Sequence, residues 1–214
     1  MRCQEIIELL QRQSPERYAC SWDNVGLLVG SSQKEVSSLY IALDATDQAI
    51  AQAVQEGADM LLTHHPLIFG GIKRVSEDDF IGRRVIALIS HGISYYAMHT
   101  NFDVMGMAGL AAEKMGMSSC QVLDVTWEQG QEIEGIGRVG LLPCEMTVEE
   151  CAQRAKEAFG IGTVKVFGDP GQKVRKVALC PGSGKSVIEK ALSAGAGALV
   201  TGDIDHHEGI DAAA

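Results

Sequence analysis

No two of the six cysteines form a Cys-x-x-Cys pair; Cys3, Cys20, Cys120, Cys144, Cys151 and Cys180 lie scattered along the 214 residues. That spacing excludes a zinc finger and suits buried thiols of a reducing compartment. No apolar run approaches the roughly 20 residues of a membrane span. The opening Met1-Arg2-Cys3-Gln4-Glu5 carries charge where a signal peptide needs an apolar core. A cytoplasmic location without membrane attachment is therefore expected. Basic residues are also in deficit, 18 against 28 acidic, for a net charge of −10. Binding to a nucleic-acid backbone needs clustered Lys and Arg, so that function class is disfavoured. The pairs Lys73-Arg74 and Arg83-Arg84 read as solvated charges.

What the chain does have is apolar content, 46% against 21% charged residues, with no low-complexity tract. This length suits one domain or two small lobes with ample core. Arg2 to Gln13 has helical periodicity and Pro15 just beyond it. Leu39 to Asp44 reads as a strand, Thr46 as the N-cap of a helix over 47–56, and Gly57 as its stop. Strands are expected over 59–63, 93–98, 137–142, 163–167, 174–180 and 198–201. Helices are expected over 80–90, 107–114 and 186–193, and from a capping box at Thr147-Val148-Glu149-Glu150 to Phe159. Alternating helices and apolar strands predict an α/β fold with mostly parallel sheets covered by helices. Two similar lobes are expected, residues 1–130 and 131–214.

An internal repeat supports two lobes. Ile41-Ala42-Leu43-Asp44, a helix and Gly57-to-Thr63 make one unit; Val177-Ala178-Leu179-Cys180, a helix and Gly195-to-Thr201 make another. The second intervening helix region is two residues longer, and each unit runs into a His-His pair, His64-His65 and His206-His207. A duplicated βαβ unit related by a pseudo-two-fold is the expectation.

The chemistry concentrates at strand ends, where an α/β fold places it. Leu61-Leu62-Thr63-His64-His65-Pro66 and His99-Thr100-Asn101-Phe102-Asp103 combine imidazoles with a carboxylate, the ligand set of a hydrolytic transition-metal site. Adjacent side chains in a strand face opposite ways, so His64 and His65 could not chelate one ion there. Beyond the strand the chain turns, and two neighbouring imidazoles can address two ions roughly 3.5–4 Å apart. Asp103 would add an anionic ligand. His99 could ligate or could orient a ligand, and the orienting role is favoured. Asp44, at its own strand end, lines the same region. Asp203-Ile204-Asp205-His206-His207-Glu208 also looks metal-binding, but an exposed helix N-terminus is acid-rich for electrostatic reasons, and that reading is preferred. His91 reads as a helix C-terminal residue. Pro181-Gly182-Ser183-Gly184-Lys185-Ser186 ends like a Walker A loop, yet Leu179 stands where its first glycine belongs, so a plain βα turn is expected.

Four motifs, Trp22-Asp23-Asn24-Val25-Gly26-Leu27, Leu62-Thr63-His64-His65-Pro66-Leu67, Met98-His99-Thr100-Asn101-Phe102-Asp103 and Thr201-Gly202-Asp203, occur in one order across essentially the whole chain. Together they resemble the Nif-three-like dinuclear metal-centre family, the GTP cyclohydrolase 1 type 2 homologues. The resemblance implies two α/β lobes and a toroidal homohexamer, a trimer of dimers, with two divalent metals facing its cavity. It makes His64 a ligand of one metal and His65 and Asp103 ligands of the other. Trp22, Asp23, Asn24 and His99 match motif positions without a ligand role, and Asp203 and His207 are placed as site-lining. The family completes its site with a C-terminal Gly-His-x-x-x-Glu-like segment. This sequence ends Asp211-Ala212-Ala213-Ala214, so a truncated chain holding three of five ligands is expected.

The leading expectation is a metal-dependent hydrolase acting on a nucleotide-like substrate through water activated by the metals. Zinc, iron, manganese, cobalt and nickel all suit the donor set. The competing expectation is a non-catalytic metal-binding assembly or regulatory protein acting through protein partners.

Overall fold

The computed structural model describes residues 1–214 and divides into two compact units, Met1–Phe102 and Asp103–Ala214. The first contains α1 (Cys3–Gln13), β1 (Gly26–Val29), β2 (Leu39–Asp44), α2 (Asp47–Gln55), β3 (Met60–His65), α3 (Phe80–Ser90), β4 (Ser94–Ala97) and the single turn α4 (Thr100–Phe102). Its sheet has the order β1-β4-β3-β2. β2, β3 and β4 run parallel, and β1 lies antiparallel to β4.

Helices pack on both faces of this sheet, although edge strand β2 leaves Leu39, Ile41 and Leu43 exposed. Cys3 and Ile7 of α1 pack with Met60, Tyr96 and Met98 on one side. Ile50 and Ala53 of α2 and Val85 and Leu88 of α3 pack with Leu61, Tyr95 and Ala97 on the other. Each fully buried aliphatic side chain contributes roughly 1.5–3 kcal/mol relative to exposure. The helix ends follow their sequence signals. Thr46 Oγ1 accepts a hydrogen bond from Ala49 N at 3.1 Å, and Gly57 takes φ +65° just past α2.

The second unit contains the π-helical turn Asp103–Met107, α5 (Ala108–Lys114), β5 (Ser118–Gln129), β6 (Glu132–Thr147), α6 (Val148–Phe159), β7 (Lys173–Ser183), α7 (Ile188–Ser193), β8 (Ala198–Asp203) and α8 (His206–Ala213). The sheet order is β5-β6-β7-β8. Val177 and Leu179 face Ala111, Met115, Cys151 and Ala155 of α5 and α6. Ala178 and Cys180 face Val187 and Ala191 on the opposite side.

The α/β class holds, but the parallel pairing is concentrated in the first sheet. In the second, β5–β6 and β6–β7 are antiparallel and only β7–β8 is parallel. The cause is a tight turn at Gly130-Gln131, with Gly130 at φ +64°, which makes β5–β6 a hairpin needing no crossover. That hairpin also explains why the break falls after Phe102 and not at residue 130: β5 belongs to the second sheet. The strand expected over 163–167 does not form; Thr163, Lys165 and Val166 are exposed and find no ladder partner.

The repeat survives with a different alignment. Leu39 opposes Met60 and Ala42 opposes Thr63, just as Val177 opposes Ala198 and Cys180 opposes Thr201. Partner separations are thus equal in the two units, and the apparent two-residue insertion vanishes. In this register Gly202 and Asp203 stand where His64 and His65 stand. His206 and His207 do not repeat the first pair; they open α8.

Candidate metal centre

β3 runs on through His64 and His65 instead of turning before them. Its end is held by two buried hydroxyls. Thr63 Oγ1 and Tyr95 Oη lie 2.8 and 3.1 Å from the His65 carbonyl oxygen and 2.8 Å from one another. Tyr95 Oη also accepts the Leu67 amide at 2.8 Å, fixing the chain as it leaves the strand. Burial pushes the Tyr95 phenol up from its ordinary pKa, so this hydroxyl keeps its proton.

Three imidazoles converge there. The ring centroids are 4.9 Å apart for His64 and His65, 5.1 Å for His64 and His99, and 5.6 Å for His65 and His99. One ligand nitrogen from each lies within 4.8 Å of the others. Metal–imidazole bonds are about 2.0–2.1 Å long, so nitrogens at this spacing can hold metal bound among them. The donor set therefore fits a borderline transition metal.

Two of the rings are oriented by carboxylates. Asp44 Oδ1 is 2.7 Å from His65 Nδ1 and Asp23 Oδ1 is 3.0 Å from His99 Nδ1. A carboxylate on Nδ1 fixes the tautomer with Nε2 unprotonated, as metal-binding histidines require. His99, expected to orient a ligand, is itself one of the three clustered rings, and Asp23 is the group that orients it.

Asp23 is a built element. Its side chain is fully enclosed. Oδ2 accepts the Thr100 amide at 3.0 Å and the Thr100 hydroxyl at 2.6 Å, and Oδ1 accepts the Asn24 amide at 2.8 Å. Burial opposes its ionisation, yet the hydrogen bonds from His99, Thr100 and Asn24 outweigh burial and bring the carboxyl down to about 2. Asn24 Nδ2 donates to the Ile68 carbonyl at 2.6 Å, tying this turn to the segment after the histidine pair. Trp22 stands on the same turn, its ring 6.1 Å from that of His99.

The remaining expected residues lie in the second unit. Asp103 is the first residue of the π-helical turn and is not among the three clustered histidines. π-turns recur at functional sites because they re-aim a side chain within a helix. Asp203 ends β8, where its carbonyl accepts the Gly184 amide at 3.0 Å. His207 follows His206 at the start of α8, where His206 Nδ1 is 3.3 Å from Lys165 Nζ. Glu208 caps that helix through the Asp205 amide and pairs with Lys185. This is the acid-rich helix start expected from the sequence. Nor does the Pro181–Ser186 segment build a phosphate loop, since β7 continues to Ser183.

Two contributors, Tyr95 and Phe69, carried no sequence signal; Thr100 lies within the His99–Asp103 motif without an expected role there. Phe69 lies in the loop after the histidines and packs 6.0 Å from the His99 ring.

A family profile described as Duf34/NIF3 (NGG1p interacting factor 3) matches residues 1–214. A Clostridium perfringens protein named GTP cyclohydrolase 1 type 2 homolog is 34% identical over 209 residues, covering 97% of this chain and 79% of the relative. A Streptomyces coelicolor protein of the same name is 36% identical over 210 residues, covering 96% and 74%. Among solved structures, a Bacillus cereus protein related to NIF3 superposes with TM-score 0.89 at 26% identity, covering 99% of this chain and 85% of that one.

Proposed function

The chain belongs to the Duf34/NIF3 family, and on that premise we propose that it is a dinuclear divalent-metal protein that hydrolyses a nucleotide-like substrate. The observation that carries this reading is the convergence of His64, His65 and His99, two of them oriented by carboxylates. In the proposal His64 serves one ion and His65 serves the other. Asp103 adds the anionic ligand, supported by its place four residues after His99.

A divalent ion bound here supplies Lewis acidity and lowers the pKa of water. The chain's own groups do the rest. Asp44 and Asp23 hold the Nδ1 protons of His65 and His99, so neither ring turns its N–H toward the ion. Thr63 and Tyr95 hold the strand end from which the pair projects.

The relatives' name suggests GTP as substrate. In cyclohydrolysis one water opens the imidazole ring of guanine to a formamide and a second hydrolyses that formamide, releasing C8 as formate. Formate release from GTP, measured beside metal content, tests this. Release that scales with metal occupancy supports the reading. No release at full occupancy removes the GTP assignment and leaves a metal-binding assembly or regulatory protein.

Self-association into a hexamer is part of the same proposal. It is supported by Leu39, Ile41 and Leu43, exposed apolar residues on one face of the edge strand β2. None of the six cysteines is in a disulfide, which supports a reducing, cytoplasmic setting. No helix is long and apolar enough to cross a membrane.

A further inference from the structure

Two large aromatic rings stand exposed beside the histidine cluster. Trp22 is 57% and Phe69 52% exposed, whereas Tyr18, Tyr95 and Tyr96 are at most 2%. Phe80 is also exposed, but Arg84 covers its ring at 5.1 Å. The ring neighbours of Trp22 and Phe69 are one another, at 5.7 Å and 36°, and His99, at 6.1 and 6.0 Å.

The pair is held in place from both sides. Asn24 Nδ2 bonds the Ile68 carbonyl, one residue before Phe69 and two after Trp22 in the respective segments. The Leu67 amide is anchored on Tyr95. Such an arrangement keeps apolar area in water next to a polar cluster, at a cost in folding stability that a bound ligand would recover.

The geometry selects the ligand. A ring inserted between two others needs about 7 Å, two contacts of roughly 3.5 Å; centroids 5.7 Å apart leave no such slot. The occupant must lie across the outer faces. Those faces favour a flat π-system, and the adjoining imidazoles favour heteroatoms at its edge. We propose that Trp22 and Phe69 form a stacking shelf that takes a purine-sized aromatic heterocycle and presents its edge to the histidine cluster. This names the recognised part of the substrate and rests on the hydrolase reading above.

The chain has two tryptophans, so Trp127→Phe leaves Trp22 as the sole indole reporter. The metal-loaded 214-residue protein carrying that change is titrated with guanosine and with ribose 5-phosphate, and metal content is measured in the same samples. Guanosine is expected to quench Trp22 emission saturably and ribose 5-phosphate to leave it unchanged. Phe69→Ala should weaken guanosine binding roughly ten-fold, the loss of one aromatic stack, at unchanged metal content. If Trp127→Phe impairs folding, calorimetry on the parent chain and its Trp22→Ala and Phe69→Ala variants reads the same affinities. No saturable guanosine binding, or binding that neither variant weakens, overturns the shelf. Guanosine binding that depends on both rings in a protein that takes up no metal upholds the shelf and rejects the metal reading instead.

Discussion

Asp44 and His65 are register partners on adjacent parallel strands, and their side chains meet at 2.7 Å between Oδ1 and Nδ1. One strand pairing thus places a metal-binding candidate and the carboxylate that orients it on the same face. Removing that carboxylate leaves the ring free to rotate and to adopt the other tautomer. Asp44→Ala is expected to lower metal affinity about 10–100-fold. Both side chains are about half exposed, so the fold should be little affected. Competition against a chelator, with a thermal melt of the metal-free protein as control, checks both halves.

The proposed ligands should behave differently from the groups that orient them. His65→Ala and Asp103→Ala are each expected to remove much of the bound metal while far-ultraviolet circular dichroism stays unchanged. Elemental analysis of the purified variants decides the matter. Unaltered stoichiometry in Asp103→Ala rejects it as a ligand and leaves the three-histidine cluster in place.

These two carboxylates also show what could be read from the sequence. The helix over 47–55, the strands flanking it and the apolar faces follow from periodicity and caps, so β2 beside β3, and hence Asp44 beside His65, lay within reach. Asp23 and His99 are 76 residues apart. They meet because β1 runs antiparallel to β4 with Gly26 opposite Ala97, which returns the turn before β1 to the residues after β4. Nothing local encodes that pairing. The hairpin of β5 and β6 was hidden for another reason: β5 is largely exposed, so it lacks an apolar signature. Phe69 carries no local signal because its neighbours in space, Trp22 and His99, come from other segments.

The buried hydroxyl of Tyr95 makes a sharper stability test than any core aliphatic. Tyr95→Phe keeps the ring and removes the acceptor of the Leu67 amide. A buried N–H left without its partner costs about 1–3 kcal/mol. Chemical denaturation of the metal-free protein should show a loss of that size. A loss below about 0.5 kcal/mol would mean that another acceptor takes over that amide.

Asp59 provides a pH test away from the candidate metal centre. Its Oδ2 accepts the Ser37 and Ser38 amides at 2.8 and 3.2 Å, and its Oδ1 pairs with Lys34 Nζ at 3.2 Å. The Ser37 amide first, and then Lys34, hold the carboxyl below its ordinary range. A carboxyl depressed in the folded state stabilises the protein fully above its unfolded value near 3.9. That contribution disappears as pH falls through the lower folded value. Asp59→Asn keeps an oxygen for the amides and removes the charge. The variant should therefore be less stable than the parent at pH 7 and pH 5, and the gap should close as pH drops below about 4. Urea titrations of both proteins across this range measure it. A gap that stays constant down to pH 3 would assign the effect of the substitution to geometry and not to the ionised carboxylate.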